Sequence, residues 1–166
     1  MIKSNLKKFL IYSSIIILIF LLDRVSKIYI LNLAETSNSV DIYVNSFLNL
    51  YLIWNKGIAF GLFSFEENLI YHLITTLIII ITFIIIFIII KTNDYRAYFL
   101  VFILGGSYGN LFDRIYYSSV PDFIDFHIND FHWFIFNVAD IFITTGVFCL
   151  IFVEIFYKKN VNKQYE

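Results

Sequence analysis

A single cysteine, Cys149, leaves the chain without any means of building an internal disulfide framework. It lies in an apolar run and reads as a small hydrophobe. Proline occurs once, at Pro121, and neither an internal repeat nor a linker to a second domain is visible. Charge is also scarce. Only 15% of residues are Asp, Glu, Lys or Arg, against 60% hydrophobic and 20% aromatic, and the mean hydropathy is +0.78. Those values fall outside the range of soluble domains and point to an integral membrane protein. The 12 basic and 13 acidic residues nearly cancel, and no basic block is present to bind nucleic acid. His72, His127 and His132 lack metal-ligand spacing, so no metal or other cofactor is expected. Ser13, Ser14, Ser26 and Ser107 lie in no nucleophile motif. Isoleucine is so frequent that its runs carry little functional information.

What is present is a set of long apolar segments within 166 residues, enough for one domain. Phe9 to Leu22 is free of charge but ends in Asp23-Arg24 rather than in a small-residue cleavage pair, so it predicts a retained helix over 9–30. Residues 31–67 are mixed, with alternating stretches near 40–44 and 48–54 that fit short strands. Asn68 to Ile90 is charge-free over a length that spans a bilayer. Further helices are expected over 96–117 and 133–157, with a second loop over 118–132. Four helices place both termini on one side. Lys3, Lys7, Lys8, Lys91, Arg96, Lys158, Lys159 and Lys163 gather there, against Arg24, Lys27, Lys56 and Arg114 opposite, so both termini are expected to be cytoplasmic. The four outward cations lie close in sequence to Asp23, Asn55 or Asp113, which fits pairing within one polar site.

The window from Gly105 to Asp140 holds five of the 13 acids, Asp113, Asp122, Asp125, Asp130 and Asp140, together with Arg114. Asn137, Asp140 and Thr144 share a helix face by their spacing. With a helix starting at 133, Asp140 lies roughly 10 Å deep, where a lone carboxylate costs on the order of 3 kcal/mol. It must face the bundle interior or a wet cavity, and a packing role paired to Arg114 or Lys27 is one reading. Gly105 and Gly109 form a small-xxx-small pair that lets helices approach closely. Asn110 can hydrogen-bond between helices, and Asp113-Arg114 reads as an ion pair. Asp122 and Asp125 sit among Phe123, Ile124 and Phe126, so their loop is expected to dip back to the level of Asp140. Two carboxylates in a poorly solvated site share a proton and can activate water. Spacing alone does not choose Asp122 over Asp113 or Asp125 as the partner of Asp140.

In order, the motifs are Asp23-Arg24-Val25-Ser26-Lys27, Asn55-Lys56-Gly57-Ile58-Ala59-Phe60, Gly105 through Arg114, Val120-Pro121-Asp122-Phe123-Ile124 and Phe136-Asn137-Val138-Ala139-Asp140. Together they resemble bacterial lipoprotein signal peptidase (signal peptidase II), an intramembrane aspartyl endopeptidase family. The resemblance implies a catalytic pair at Asp122 and Asp140. It places supporting or substrate-binding roles on Asp23, Lys27, Asn55, Gly57, Asn110, Asp113, Arg114 and Asn137. It implies an all-α membrane fold of four transmembrane helices, with a small extracytoplasmic β-rich cradle and a short helix drawn from the first outer loop. The implied substrates are prolipoproteins carrying a diacylglyceryl-modified cysteine, cut on the N-terminal side of that cysteine, with membrane lipids as surroundings. The implied location is the bacterial inner membrane. The chain departs from the family pattern at Lys56, Gly61 and Pro121, and Asp125 adds an acid near the pair. Two other classes compete: a small proton-coupled transporter subunit with Asp23, Asp113 and Asp140 as a relay, and an assembly protein held by Asp–Arg pairs.

Overall fold

The computed structural model describes residues 2–37, 39–57, 68–129 and 131–162. Four helices carry the chain: α1 (Ile2–Ser37), α2 (Asn68–Lys91), α3 (Arg96–Tyr117) and α4 (Val138–Asn162). Between them run β1 (Asp41–Asn45), β2 (Leu48–Asn55), β3 (Val120–Ile128) and β4 (Phe131–Phe136). The strands form one antiparallel sheet in the order β1-β2-β3-β4. The fold is therefore mostly helical with a small sheet. The sheet sits where α1 ends, α3 ends and α4 begins.

Its outer surface is apolar and its inside is polar. Leu73, Phe83 and Phe87 of α2 and Phe148, Phe152 and Ile155 of α4 are exposed, while Asp23, Lys27, Asp113, Asp122 and Asn137 are among the most buried side chains. Water would favour the opposite distribution. A hydrocarbon surrounding favours this one, because it rewards apolar contact and penalises unpaired charge. Leu6–Ser37, Leu69–Lys91 and Val138–Phe156 are each long and apolar enough to cross a membrane. The remaining helix, α3, lies at the centre and packs against α1, α2 and α4.

Glycines set how closely α3 approaches its neighbours. A Cβ at Gly105 would lie 2.9 Å from Ile19, and one at Gly109 only 2.5 Å from Asp23 Oδ2. A Cβ at Gly106 would lie 2.5 Å from the Ala139 carbonyl oxygen. The small-residue pair thus seats α1 against α3, and Gly106 seats the start of α4. Under the sheet, Ile30, Val40 and Phe123 make a small apolar core with Leu33, Leu50, Leu52 and Val138 packed around it.

Two expectations change. Residues 118–132 are not a loop: β3 and β4 form a hairpin there, turning at Asn129 with φ 52, a left-handed conformation that asparagine tolerates. The sheet therefore draws on both expected loops rather than on the first alone. The fourth helix begins at Val138, not near 133, because Phe131–Phe136 pairs with β3 as strand β4. Asp140 consequently lies in the first turn of α4 and not about two turns down it. Pro121, near the start of β3, pairs with Trp54 of β2, while β4 joins β3 only from Ile124 onward. Its missing N–H is tolerated on that open side. The four described helices include no short cradle helix, and Ile58, Ala59, Phe60, Gly61 and Asp130 lie outside the described residues.

Candidate active site

The innermost charges lie between α1 and α3. Asp23, Arg24, Lys27, Asp113 and Arg114 are all less than a tenth exposed. Lys27 Nζ lies 2.9 Å from the Asp23 carboxylate, 2.8 Å from Asn110 Oδ1 and 2.6 Å from Asp113 Oδ2. Those three acceptors use all three ammonium donors. Arg24 reaches Asp113 Oδ1 at 2.6 Å and Asp23 Oδ2 at 3.0 Å, and its guanidinium lies 4.8 Å from the Phe112 ring centre. Two acids and two cations neutralise one another, which is the condition for keeping charge out of water. Asp113 therefore pairs with α1 rather than with the adjacent Arg114.

The start of α4 is fixed by a reciprocal cap. The Asp140 amide donates to Asn137 Oδ1 at 3.1 Å, and the Asn137 amide donates to Asp140 Oδ2 at 3.2 Å. This is the capping-box arrangement, with Asp in the place of Glu. Asp23 Oδ1 accepts from the Ala139 amide at 3.0 Å, so α1 satisfies another free N–H of the first turn. Asn110 links the two groups: its Oδ1 accepts from Lys27 and its Nδ2 donates to Asp140 Oδ1 at 2.8 Å. Asp140 is thus held by Asn110 and Asn137, not by Arg114 or Lys27.

Asp122, on β3, is 1% exposed. Asn55 Nδ2 donates to its Oδ2 at 2.9 Å, and Asn137 Nδ2 donates to its Oδ1 at 2.6 Å. Asn137 therefore touches both acids. Burial first, and the charge of Asp140 second, push the Asp122 carboxyl up to about 7 against the pull of its two amide donors and Lys27. A cavity of about 260 Å³ lined by Phe136, Asp140, Ile141, Thr144 and Thr145 opens beside Asp140.

Asn55 also organises the turn that follows β2. Its Oδ1 accepts from the Gly57 amide at 2.8 Å, an Asx turn, and the Gly57 carbonyl accepts from Arg114 Nη2. Arg114 lies over the Tyr71 ring at 5.7 Å, and Tyr71 Oη donates to the Arg114 carbonyl at 2.7 Å. Arg114 Nε and Nη1 are buried without an acceptor among the described residues.

All ten sequence-predicted residues thus fall in one connected polar cluster at the sheet end of the helices. Lys56, expected near it, is exposed. Arg24, read from the sequence as one of the outward cations, belongs to the cluster, and Tyr71 belongs to it without having been singled out. The signal for Tyr71 was a polar atom at the edge of the apolar α2 run. The Asn137-x-x-Asp140 spacing before an apolar run was a readable helix start. At the opposite end, Arg96 pairs with Asp94 and Glu154, each at 2.7 Å. The acids of the cluster do not line a path between the two ends, so the transporter reading gains no support.

The family model described as Signal peptidase (SPase) II matches residues 15–156. A lipoprotein signal peptidase of Pelagibacter ubique (strain HTCC1062) is 56% identical over 163 residues, covering 98% of each chain. One from Anaplasma phagocytophilum (strain HZ) is 38% identical over 160 residues, covering 95% of this chain and 99% of the other. A solved structure described as a bacterial membrane enzyme, by the in meso method at 2.3 Å, superposes with a TM-score of 0.66 at 27% identity, covering 92% of this chain and 90% of that one. With its polar cluster buried between apolar helices and matches running almost end to end, the chain belongs to the signal peptidase II family.

Proposed function

We propose that the protein is an aspartic endopeptidase that removes signal peptides from diacylglyceryl-modified prolipoproteins by cutting on the N-terminal side of the lipidated cysteine. The observation that carries this reading is Asn137, which donates to Asp122 while capping Asp140. Two buried carboxylates held by one residue, Asp122 by its side-chain amide and Asp140 by its backbone amide, cannot both ionise easily and share a proton.

In this mechanism the ionised member takes a proton from a water as it attacks the scissile carbonyl. The protonated member hydrogen-bonds the developing oxyanion and then protonates the leaving amine. The pair titrates as a unit, so the proton belongs to neither residue alone. Asn55 and Asn137 hold Asp122, and Asn110 and Asn137 hold Asp140. Nε and Nη1 of Arg114, which have no acceptor among the described residues, supply donors for a substrate carbonyl. Asp23, Lys27 and Asp113 fix α1 against α3 and carry no step of the reaction.

The four helices span the bacterial inner membrane in this reading, α3 included, since its 22 residues rise about 33 Å. Both termini are cytoplasmic, as the basic residues favour, and the sheet and acids face the extracytoplasmic side. The cavity beside Asp140 lies against lipid-facing residues, and the diacylglyceryl chains remain in the bilayer beside it.

The test is cleavage by the purified protein in lipid of one prolipoprotein with and without the diacylglyceryl group, with mass mapping of products. Release of a fragment beginning at the lipidated cysteine, from the modified form alone, is expected. Equal cleavage of both forms, or a cut elsewhere, contradicts the assignment.

A further inference from the structure

One group of chemistry-bearing side chains plays no part in the mechanism above. Asp125 and His127 on β3 are both buried while Phe126 between them is exposed, so the two share a face of the sheet. His132 on β4 is the register partner of His127. One ligand atom from each of the three residues falls within 4.8 Å of the others, and among the described residues this is the only such group of His, Cys, Asp or Glu. His132 Nδ1 lies 2.8 Å from Asp125 Oδ2, and His127 Nδ1 lies 3.9 Å from the same oxygen. The two imidazole rings lie 5.1 Å apart and 26° from parallel.

Hydrogen bonding leaves this group incomplete. His127 is 8% exposed, and its Nδ1 is buried without a partner among the described residues. A buried ring nitrogen with nothing to bind is costly, and here it is turned toward a carboxylate and a second imidazole. Asn49, the register partner of Asp125 across β2 and β3, also has a buried Oδ1 without a donor among the described residues.

We infer that Asp125, His127 and His132 form a binding site for a divalent transition-metal ion of the zinc type, with a water in the fourth position. Two imidazoles and one carboxylate are a donor set suited to Zn²⁺. Metal–ligand bonds of about 2.0–2.2 Å in a tetrahedron put ligand atoms roughly 3.3 Å apart. The two distances to Asp125, 2.8 and 3.9 Å, bracket that spacing, and all three ligand atoms lie within 4.8 Å of one another. A metal-bound water is a donor of the kind Asn49 Oδ1 lacks. His132, 55% exposed at its side chain, leaves the site open to entry. A bound ion would tie β3 to β4 three residues beyond Asp122 and just ahead of the Asn137 cap. The role is structural or regulatory, and the ion takes no part in peptide hydrolysis.

The experiment uses the full chain, purified in detergent without a polyhistidine tag. Zn²⁺ is titrated calorimetrically, and Co²⁺ is followed by its visible absorption. One Zn²⁺ per chain is expected, with a tetrahedral-type Co²⁺ spectrum and a rise in the unfolding temperature on adding Zn²⁺. His132→Ala, at an exposed position, should fold normally, and Asp125→Asn keeps the side-chain shape. Each should weaken Zn²⁺ by at least the roughly 10–100-fold that loss of even an outer-shell partner costs, and abolish the thermal shift. His72→Ala, on α2, should change neither. No stoichiometric Zn²⁺ uptake by the wild-type chain, or equal uptake by His132→Ala and Asp125→Asn, overturns the inference.

Discussion

Asn137 donates its side-chain amide to Asp122 Oδ1 at 2.6 Å, while its backbone amide holds Asp140 Oδ2. One residue thus positions both acids and starts the helix that carries the second. Asn137→Ala removes the donor to a buried carboxylate and the acceptor for the Asp140 amide. Hydrogen bonds to charged groups contribute about 1.5–3 kcal/mol, which corresponds to a loss of roughly 10–150-fold in kcat. Steady-state kinetics on a lipidated substrate should show the loss in kcat with little change in KM, because Asn137 acts through the acids. A purely structural role would instead appear as lost folded protein with normal turnover in the remainder.

Gly106→Ala and Gly109→Ala test the helix packing. The first places a Cβ 2.5 Å from a backbone carbonyl of α4, which cannot swing aside. The second meets Asp23 Oδ2 at the same distance, and that carboxylate is pinned by Arg24, Lys27 and the Ala139 amide. Overpacking of this kind costs about 1–3 kcal/mol. Thermal unfolding in detergent should show both variants less stable, and Gly106→Ala should also lose activity as Asp140 shifts with α4. Wild-type melting of both variants would mean that α3 packs more loosely than described.

Lys27→Met leaves Asp23 and Asp113 with Arg24 as their only cation among the described residues. Breaking a buried pair from one side costs about 3–5 kcal/mol. Adding Asp113→Asn to Lys27→Met removes the uncompensated charge, so the double variant should recover part of the loss. A double-mutant cycle on denaturant midpoints reads this directly. Additive losses would show that Lys27 and Asp113 do not interact.

The raised Asp122 carboxyl has a consequence for stability with a definite sign. Its folded value of about 7 exceeds the ordinary 3.8, so the folded chain holds this proton more tightly than the unfolded chain. Below about 3.8 both states are protonated and the shift costs nothing. Between about 3.8 and 7 the unfolded state loses its proton first, so stability falls as pH rises, and the loss is complete above about 7. Asp122→Asn is neutral throughout. Its advantage in melting temperature over wild type should therefore grow from pH 4 to pH 7 and then level off. Parallel pH profiles for the two proteins would contradict the assignment.

Much of this arrangement was legible from the sequence. The charge-free run of α2 up to Ile90, the alternating stretches of β1 and β2, and the glycine spacing of α3 each follow from one local rule. The clustering of Arg24 and Lys27 with acids followed from the cost of unpaired charge in lipid. The hairpin of β3 and β4 was not legible, because Phe131–Phe136 is as apolar as the helix after it and hydropathy runs through Asn137 without a break. The cap at Asn137 was the only mark of the boundary. The choice of Asp122 over Asp113 and Asp125 depended on family resemblance, since the partners of each acid are set by helix contacts and sheet register. The meeting of His127 with His132 depends on that same register, including the irregularity between Asp125 and His127, and spacing along the chain carries no trace of it.

The central claim is that Asp122 and Asp140 together carry the hydrolysis. The most direct measurement is single-turnover cleavage of a diacylglyceryl-modified prolipoprotein by Asp122→Asn and Asp140→Asn, each verified as folded by its melting temperature. Loss of one partner in acid–base catalysis predicts a fall of at least about 10²–10⁴-fold in each variant. Turnover near the wild-type rate in either one would contradict the account.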